Sequence, residues 1–190
     1  MVNVSRRTFV DTALKGSALV LCFTFDGSTL LLTPQQARAK DMPLRTLTEA
    51  QAQTLESLGE AIVPGSTKLG LAHFLDHQLD VDPNEALLIA KYFGVALPYK
   101  DFYVGGVNVA DAMAQRSVSK RVTQMTESEL NGLVKQMSVP GTVVDGFPIF
   151  LFYMCLRSDA VDVVYGTPEG FKKLNIPYMQ HILPPRDWNA

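Results

Sequence analysis

The chain has 190 residues, 47% of them apolar and 19% charged, a globular profile that is neither low-complexity nor disordered. Its formal net charge of -2 lacks the basic excess that neutralising a phosphate backbone demands, which excludes nucleic acid as a partner class. Two cysteines build neither a disulfide framework, nor a four-thiolate zinc site, nor an iron–sulfur cluster, and no C-x-x-C-H, G-x-G-x-x-G or P-loop run occurs. The chain therefore reads as a helper or binder with no cofactor motif of its own.

The N-terminal segment resembles a twin-arginine export signal. Ser5-Arg6-Arg7-Thr8-Phe9-Val10 opens it, an apolar stretch from Ala13 to Leu32 follows, and Ala37-Arg38-Ala39 has the small residues of a signal-peptidase site. The strongest uninterrupted apolar run, Ala18 to Phe25, falls short of the roughly 20 residues of a spanning helix. Residues 1–39 are accordingly expected to be a cleaved leader, and residues 40–190 the exported domain. Loss of Cys22 with the leader leaves Cys155 alone in an oxidising compartment, and its neighbours Ile149, Phe150, Leu151, Phe152 and Met154 predict that it is buried. The twin-arginine route carries folded proteins, commonly because a cofactor must be inserted before export. Such a signal on a chain without a cofactor motif points to an escort for a cofactor-bearing partner that lacks one, delivered through the twin-arginine translocase to the periplasm.

Along residues 40–190 the fold class is mainly α, a small single-domain helical bundle with an extended, proline-rich C-terminal tail. Thr46-x-x-Glu49 and Thr48-x-x-Gln51 have capping-box spacing before a helix that runs through Leu55, Leu58 and Ile62 and stops at Pro64-Gly65. Leu71, Phe74, Leu75 and Leu79 form the next helical stripe. Asp82-Pro83 is expected to start a third helix reaching about Leu97, and Tyr99 to Val109, with Gly105-Gly106, to be a loop before an irregular helix to Val122. Thr126-x-x-Glu129 caps a helix carrying Leu130, Leu133, Val134 and Met137. Asp145 is expected to cap a helix with Pro148 in its first turn. That helix is apolar all round, hence central to the core or pressed on a partner. No strict alternation argues for a sheet beyond a short hairpin. After a short helix near Phe171, Pro177, Pro184 and Pro185 leave an extended tail with Tyr178 and Trp188.

Candidate chemistry is sparse. His73-x-x-x-His77 places two imidazoles one helical turn apart, a spacing that chelates metal, but without the glutamate of H-E-x-x-H. Packing explains the same helix. The acidic pairs Asp80 with Asp82 and Asp159 with Asp162 read as surface charge rather than as paired catalytic carboxylates. There is no G-x-S-x-G elbow, and Cys155 lies in apolar surroundings that would raise its pKa. No catalytic, cofactor-binding or metal-ligating residue is assigned.

Leu58-Gly59-Glu60-Ala61-Ile62-Val63-Pro64-Gly65, Gly70-Leu71-Ala72-His73-Phe74-Leu75-Asp76, and the stretch from Tyr165-Gly166-Thr167-Pro168-Glu169-Gly170-Phe171 to Pro177-Tyr178 resemble the gluconate 2-dehydrogenase subunit 3 family. The resemblance implies a small accessory subunit of a periplasmic sugar or sugar-acid dehydrogenase. Its large subunit would be a GMC-type flavoprotein carrying FAD, and electrons would leave through a multihaem cytochrome c, with membrane association through that subunit. It transfers no catalytic residues. Phe147, Phe152, Tyr178 and Trp188 are the aromatic residues expected at the partner interface, since aromatic anchors dominate interface energetics. Two other readings stay open: a free-standing periplasmic binding or structural protein, and a metal-binding protein using His73 and His77.

Overall fold

A computed structural model of the chain describes residues 19–26 and 28–176. In chain order these form an antiparallel hairpin, β1 (Leu21–Phe25) and β2 (Ser28–Leu32), then seven helices. The helices are α1 (Pro34–Ala39), α2 (Glu49–Ile62), α3 (Leu71–Asp80), α4 (Tyr99–Val118), α5 (Glu127–Met137), α6 (Ile149–Tyr165) and α7 (Pro168–Lys173). Short 3-10 turns at Ile89–Lys91 and Val122–Gln124 lie before and after α4. The mainly helical bundle is as expected, and among the described residues no helix is long and apolar enough to cross a membrane. Arg6, Arg7, Tyr178 and Trp188 lie outside the described residues.

The capping boxes act as expected. The Thr48 hydroxyl accepts from the Gln51 amide while the Thr48 amide donates to the Gln51 side chain, and Thr126 and Glu129 do the same for α5. Of the two possible starts for α2, Thr48 is used because Thr46 is engaged elsewhere. Its amide, with those of Arg45 and Leu47, donates to the buried Asp76 carboxylate of α3 at 2.8–2.9 Å. This fixes the entry of the chain into α2.

Helix α6 is the axis of the bundle, touching α2, α3, α4, α5 and α7. Ile149, Phe152, Cys155, Leu156, Ala160, Val163 and Val164 are buried along it, as its unbroken apolar character requires. It begins at Ile149 with Pro148 as its cap. Asp145 sits instead in a left-handed turn at φ 51°, its carboxylate paired with Arg116.

Residues 99–109, expected as a loop, are the first half of the 20-residue α4. The glycines that suggested a loop are there for packing. A Cβ on Gly106 would lie 2.2 Å from the Phe152 ring, and one on Gly105 2.9 Å from Phe147, so two bare backbone positions let the rings pack directly against α4. Residues 83–97, expected as a third helix, form an irregular segment holding one 3-10 turn, with Gly94 at φ 69° breaking helical continuity. The hairpin and α1 lie within the expected leader, where no sheet was read. Asp26-Gly27 between two apolar runs is a hairpin signal, masked there by the export-signal pattern.

Gly106→Ala tests the ring packing. Helix propensity alone would favour alanine by about 1 kcal/mol. The overpacked Phe152 should instead lower stability by about 1–3 kcal/mol, read as a reduced urea midpoint with an unchanged slope.

Candidate functional site

The segment between α3 and α4 is the surface that stands out. From Val81 to Pro98 the chain runs outside the helices, yet its backbone is held at close intervals. Gln78, buried in α3, accepts the Leu87 amide at 2.7 Å, and Asp159 of α6 accepts the Ile89 amide at 3.3 Å. The Val95 amide closes the turn onto the Ala90 carbonyl at 3.2 Å, and the Lys91 ammonium donates to the Asn84 carbonyl at 2.6 Å. Ala86, Leu88 and Ala90 point inward and are buried. Four of the residues between and after them are exposed: Leu87 53%, Tyr92 74%, Phe93 44% and Leu97 59%. The result is a rigid ledge displaying four large apolar side chains to solvent.

Asp159 anchors that ledge from below. It is fully buried, and besides the Ile89 amide it accepts a hydrogen bond from the Tyr103 hydroxyl of α4, itself fully buried. It is therefore not surface charge, as its acidic neighbourhood suggested. Its position three and four residues beyond Leu156 and Cys155 places it on the inward stripe of α6, which is the signal that reveals it. Burial raises its carboxyl to about 7 against the hydrogen bonds that favour the charged form, and burial pushes the Tyr103 phenol well above its ordinary range. Cys155, one turn away, is buried as expected, and desolvation lifts its thiol to about 12, which keeps it from acting as a nucleophile.

The two histidines are structural in their contacts. His73 Nε2 lies 3.1 Å from the Met42 carbonyl and His77 Nε2 3.0 Å from the Cys22 carbonyl, so each donates from the nitrogen nearest its neighbour. The His77 ring also packs against Phe23, centroids 5.2 Å apart. Burial lowers both imidazole pKa values, favouring the neutral ring. Among the described residues no group of three histidine, cysteine or acidic side chains is placed to hold a metal.

Of the expected interface residues, the two that are described, Phe147 and Phe152, pack against each other with ring centroids 6.3 Å apart. Phe152 is fully buried among Phe102, Tyr103 and Phe147 and presents nothing to solvent, a correction that follows from its seat on Gly106. Phe147 is half-buried, stacked on Phe102 at 5.5 Å. Leu87, Tyr92, Phe93 and Leu97 were missed because they were assigned to a helix; the breakers Asp82-Pro83, Gly94 and Pro98 around them were the available signal.

The comparisons with known proteins give one match. The family model described as Gluconate 2-dehydrogenase subunit 3 matches residues 49–182, more than half of the chain. No curated protein and no solved structure matches it.

Asp159→Asn tests the anchor. A carboxyl that keeps its proton to about pH 7 in the fold loses it near pH 4 when unfolded, so its favourable contribution is fully present below about pH 4 and declines as pH rises to about 7. Wild-type stability relative to Asp159→Asn should therefore fall through that window, by on the order of 1.4 kcal/mol per pH unit. Equal pH slopes for the two proteins would show that the buried group is already ionised.

Proposed function

The chain belongs to the gluconate 2-dehydrogenase subunit 3 family, and from that premise we propose that it docks its ledge onto the flavoprotein subunit of the complex, stabilising that subunit and escorting it through twin-arginine export. Membership makes it an accessory subunit of a gluconate 2-dehydrogenase-type complex. The finer reading gives it a GMC-type partner carrying FAD, a multihaem cytochrome c as electron exit, and the periplasm as destination. Oxidation of the sugar or sugar acid takes place on the partner's flavin. This chain contributes binding surface and the export signal at Arg6 and Arg7.

The observation that carries the reading is the ledge. Four large apolar side chains partly in water are costly to a monomer, and burying what each still exposes is worth up to about 1.5–3 kcal/mol. Their backbone is already fixed by Gln78, Asp159 and the inward residues, so little ordering entropy is lost on docking. Tyr92 and Phe93 supply the aromatic anchors on which interface energetics concentrate, and a stable complex would extend the contact beyond the ledge to at least about 1,000 Å². Binding to the folded flavoprotein alone would then stabilise it by mass action.

Co-expression with the flavoprotein and a tagged pull-down test this reading. Wild type should bring down a yellow, FAD-bearing partner, and Leu87→Asp with Tyr92→Asp should reduce its recovery at least about tenfold. Val143→Asp, at an exposed position outside the ledge, should leave recovery unchanged. A colourless wild-type monomer would return the free-standing periplasmic protein to first place.

A further inference from the structure

We infer that residues 21–39 are a permanent strap of the folded domain, and that the chain is not cut after Ala39. The processing half of this inference rests on the export reading above; the strap itself does not.

The strap is built into the body by apolar burial, by shape and by polar partners. Its own Leu21, Phe23, Leu32, Pro34 and Ala37 are buried, Ala37 completely. The body is shaped to receive it. Gly70, the left-handed residue (φ 87°) that opens α3, has the Pro34 carbonyl where a side chain would begin: a Cβ there would lie 2.2 Å from that oxygen. No other residue type fits beneath the strap at that position.

Polar groups close the same seam. His77 of α3 has its Nε2 on the Cys22 carbonyl, and Arg38 pairs with Glu56 of α2. Glu56 is half-buried, and loss of Arg38 would leave its carboxylate desolvated without the guanidinium that offsets burial. Removing residues 1–39 would thus strip apolar cover from α3, orphan the His77 donor and strand Glu56.

The bond that a signal peptidase would attack is also in the wrong conformation. Proteases bind their substrates extended, as strand-like segments. Ala37, Arg38 and Ala39 are helical, with the Ala37 amide on the Thr33 carbonyl at 2.9 Å and the Ala37 carbonyl accepting from Met42 at 3.0 Å. The Thr33–Gln36 capping box holds the start of the same helix. A chain that crosses the membrane already folded presents this site closed, and cleavage would require local unfolding.

Trypsin tests the strap without reference to export, because Arg38-Ala39 is a tryptic bond. In the folded full-length chain that bond should survive at least about tenfold longer than in urea, followed by mass spectrometry of the fragments. Cleavage at equal rates would overturn the strap. Gly70→Ala, which pushes on Pro34, should speed native cleavage at Arg38. For processing, the intact mass of the periplasmic protein should include residues 21–39, whereas an N-terminus at Lys40 would overturn the inference. Periplasmic recovery unaffected by Arg6→Lys with Arg7→Lys would count against the export reading alone, and the tryptic result would still decide the strap.

Discussion

A carboxyl group without access to water has to find its partners inside the protein, and Asp159 finds them on two other parts of the chain. Its two oxygens take the Tyr103 hydroxyl of α4 and the Ile89 amide of the ledge. The Tyr103 hydroxyl and the Asp159 carboxyl, both fully buried, would each be left unsatisfied without the other. The arrangement sets the register of α4 against α6 and fixes the height at which the ledge leaves the body. A second buried acid, Asp76, does the equivalent for the chain's entry into α2 by collecting three successive backbone amides. Two carboxyl groups on neighbouring helices thus hold the two irregular segments that bracket the bundle.

Around these polar nodes the packing depends on absent side chains as much as on present ones. Gly106 and Gly105 admit the Phe152 and Phe147 rings, and Gly59 leaves room for Leu71, whose Cδ2 would otherwise sit 2.1 Å from a Cβ. The stretch Leu58 to Gly65 that carries the family likeness is explained by these contacts. Leu58 is fully buried, Gly59 seats α3 on α2, and the Glu60 carboxylate accepts the Gly65 and Thr67 amides at 2.7 and 3.0 Å to tie the turn between the two helices. These are packing and turn residues, which is why the likeness names a fold and a family without naming a reaction.

The helical body was legible because its signals are local. Capping boxes at Thr48 and Thr126 and the stripe from Leu71 to Leu79 depend only on neighbours in sequence. The errors fall where a distant residue decides. Gly105-Gly106 is a loop signal until Phe152 arrives from a helix some forty-five residues later, and residues 83–97 have enough apolar content to imitate a helix until Asp159 claims the Ile89 amide. The hairpin was hidden for a different reason, since an export signal and a buried strand share the same apolar composition. Asp159 itself was readable from its place on the α6 stripe, but an acidic residue near other acids invites a surface assignment. The ledge depended on that same tertiary contact and so was lost with it.

In the ledge, the residues that shape the backbone and those that face outward are different residues. Ala86, Leu88 and Ala90, with Gln78 and Asp159 behind them, determine where the chain goes. The side chains of Leu87, Tyr92, Phe93 and Leu97 face solvent instead. Substitution at the outward positions therefore changes the surface offered to solvent without passing through the folding equilibrium, and the two sets are free to diverge at different rates. A chassis divided in this way lends itself to exchange: under the proposed docking, grafting a different outward quartet onto the same inward frame would redirect the subunit to a new companion while leaving its bundle intact.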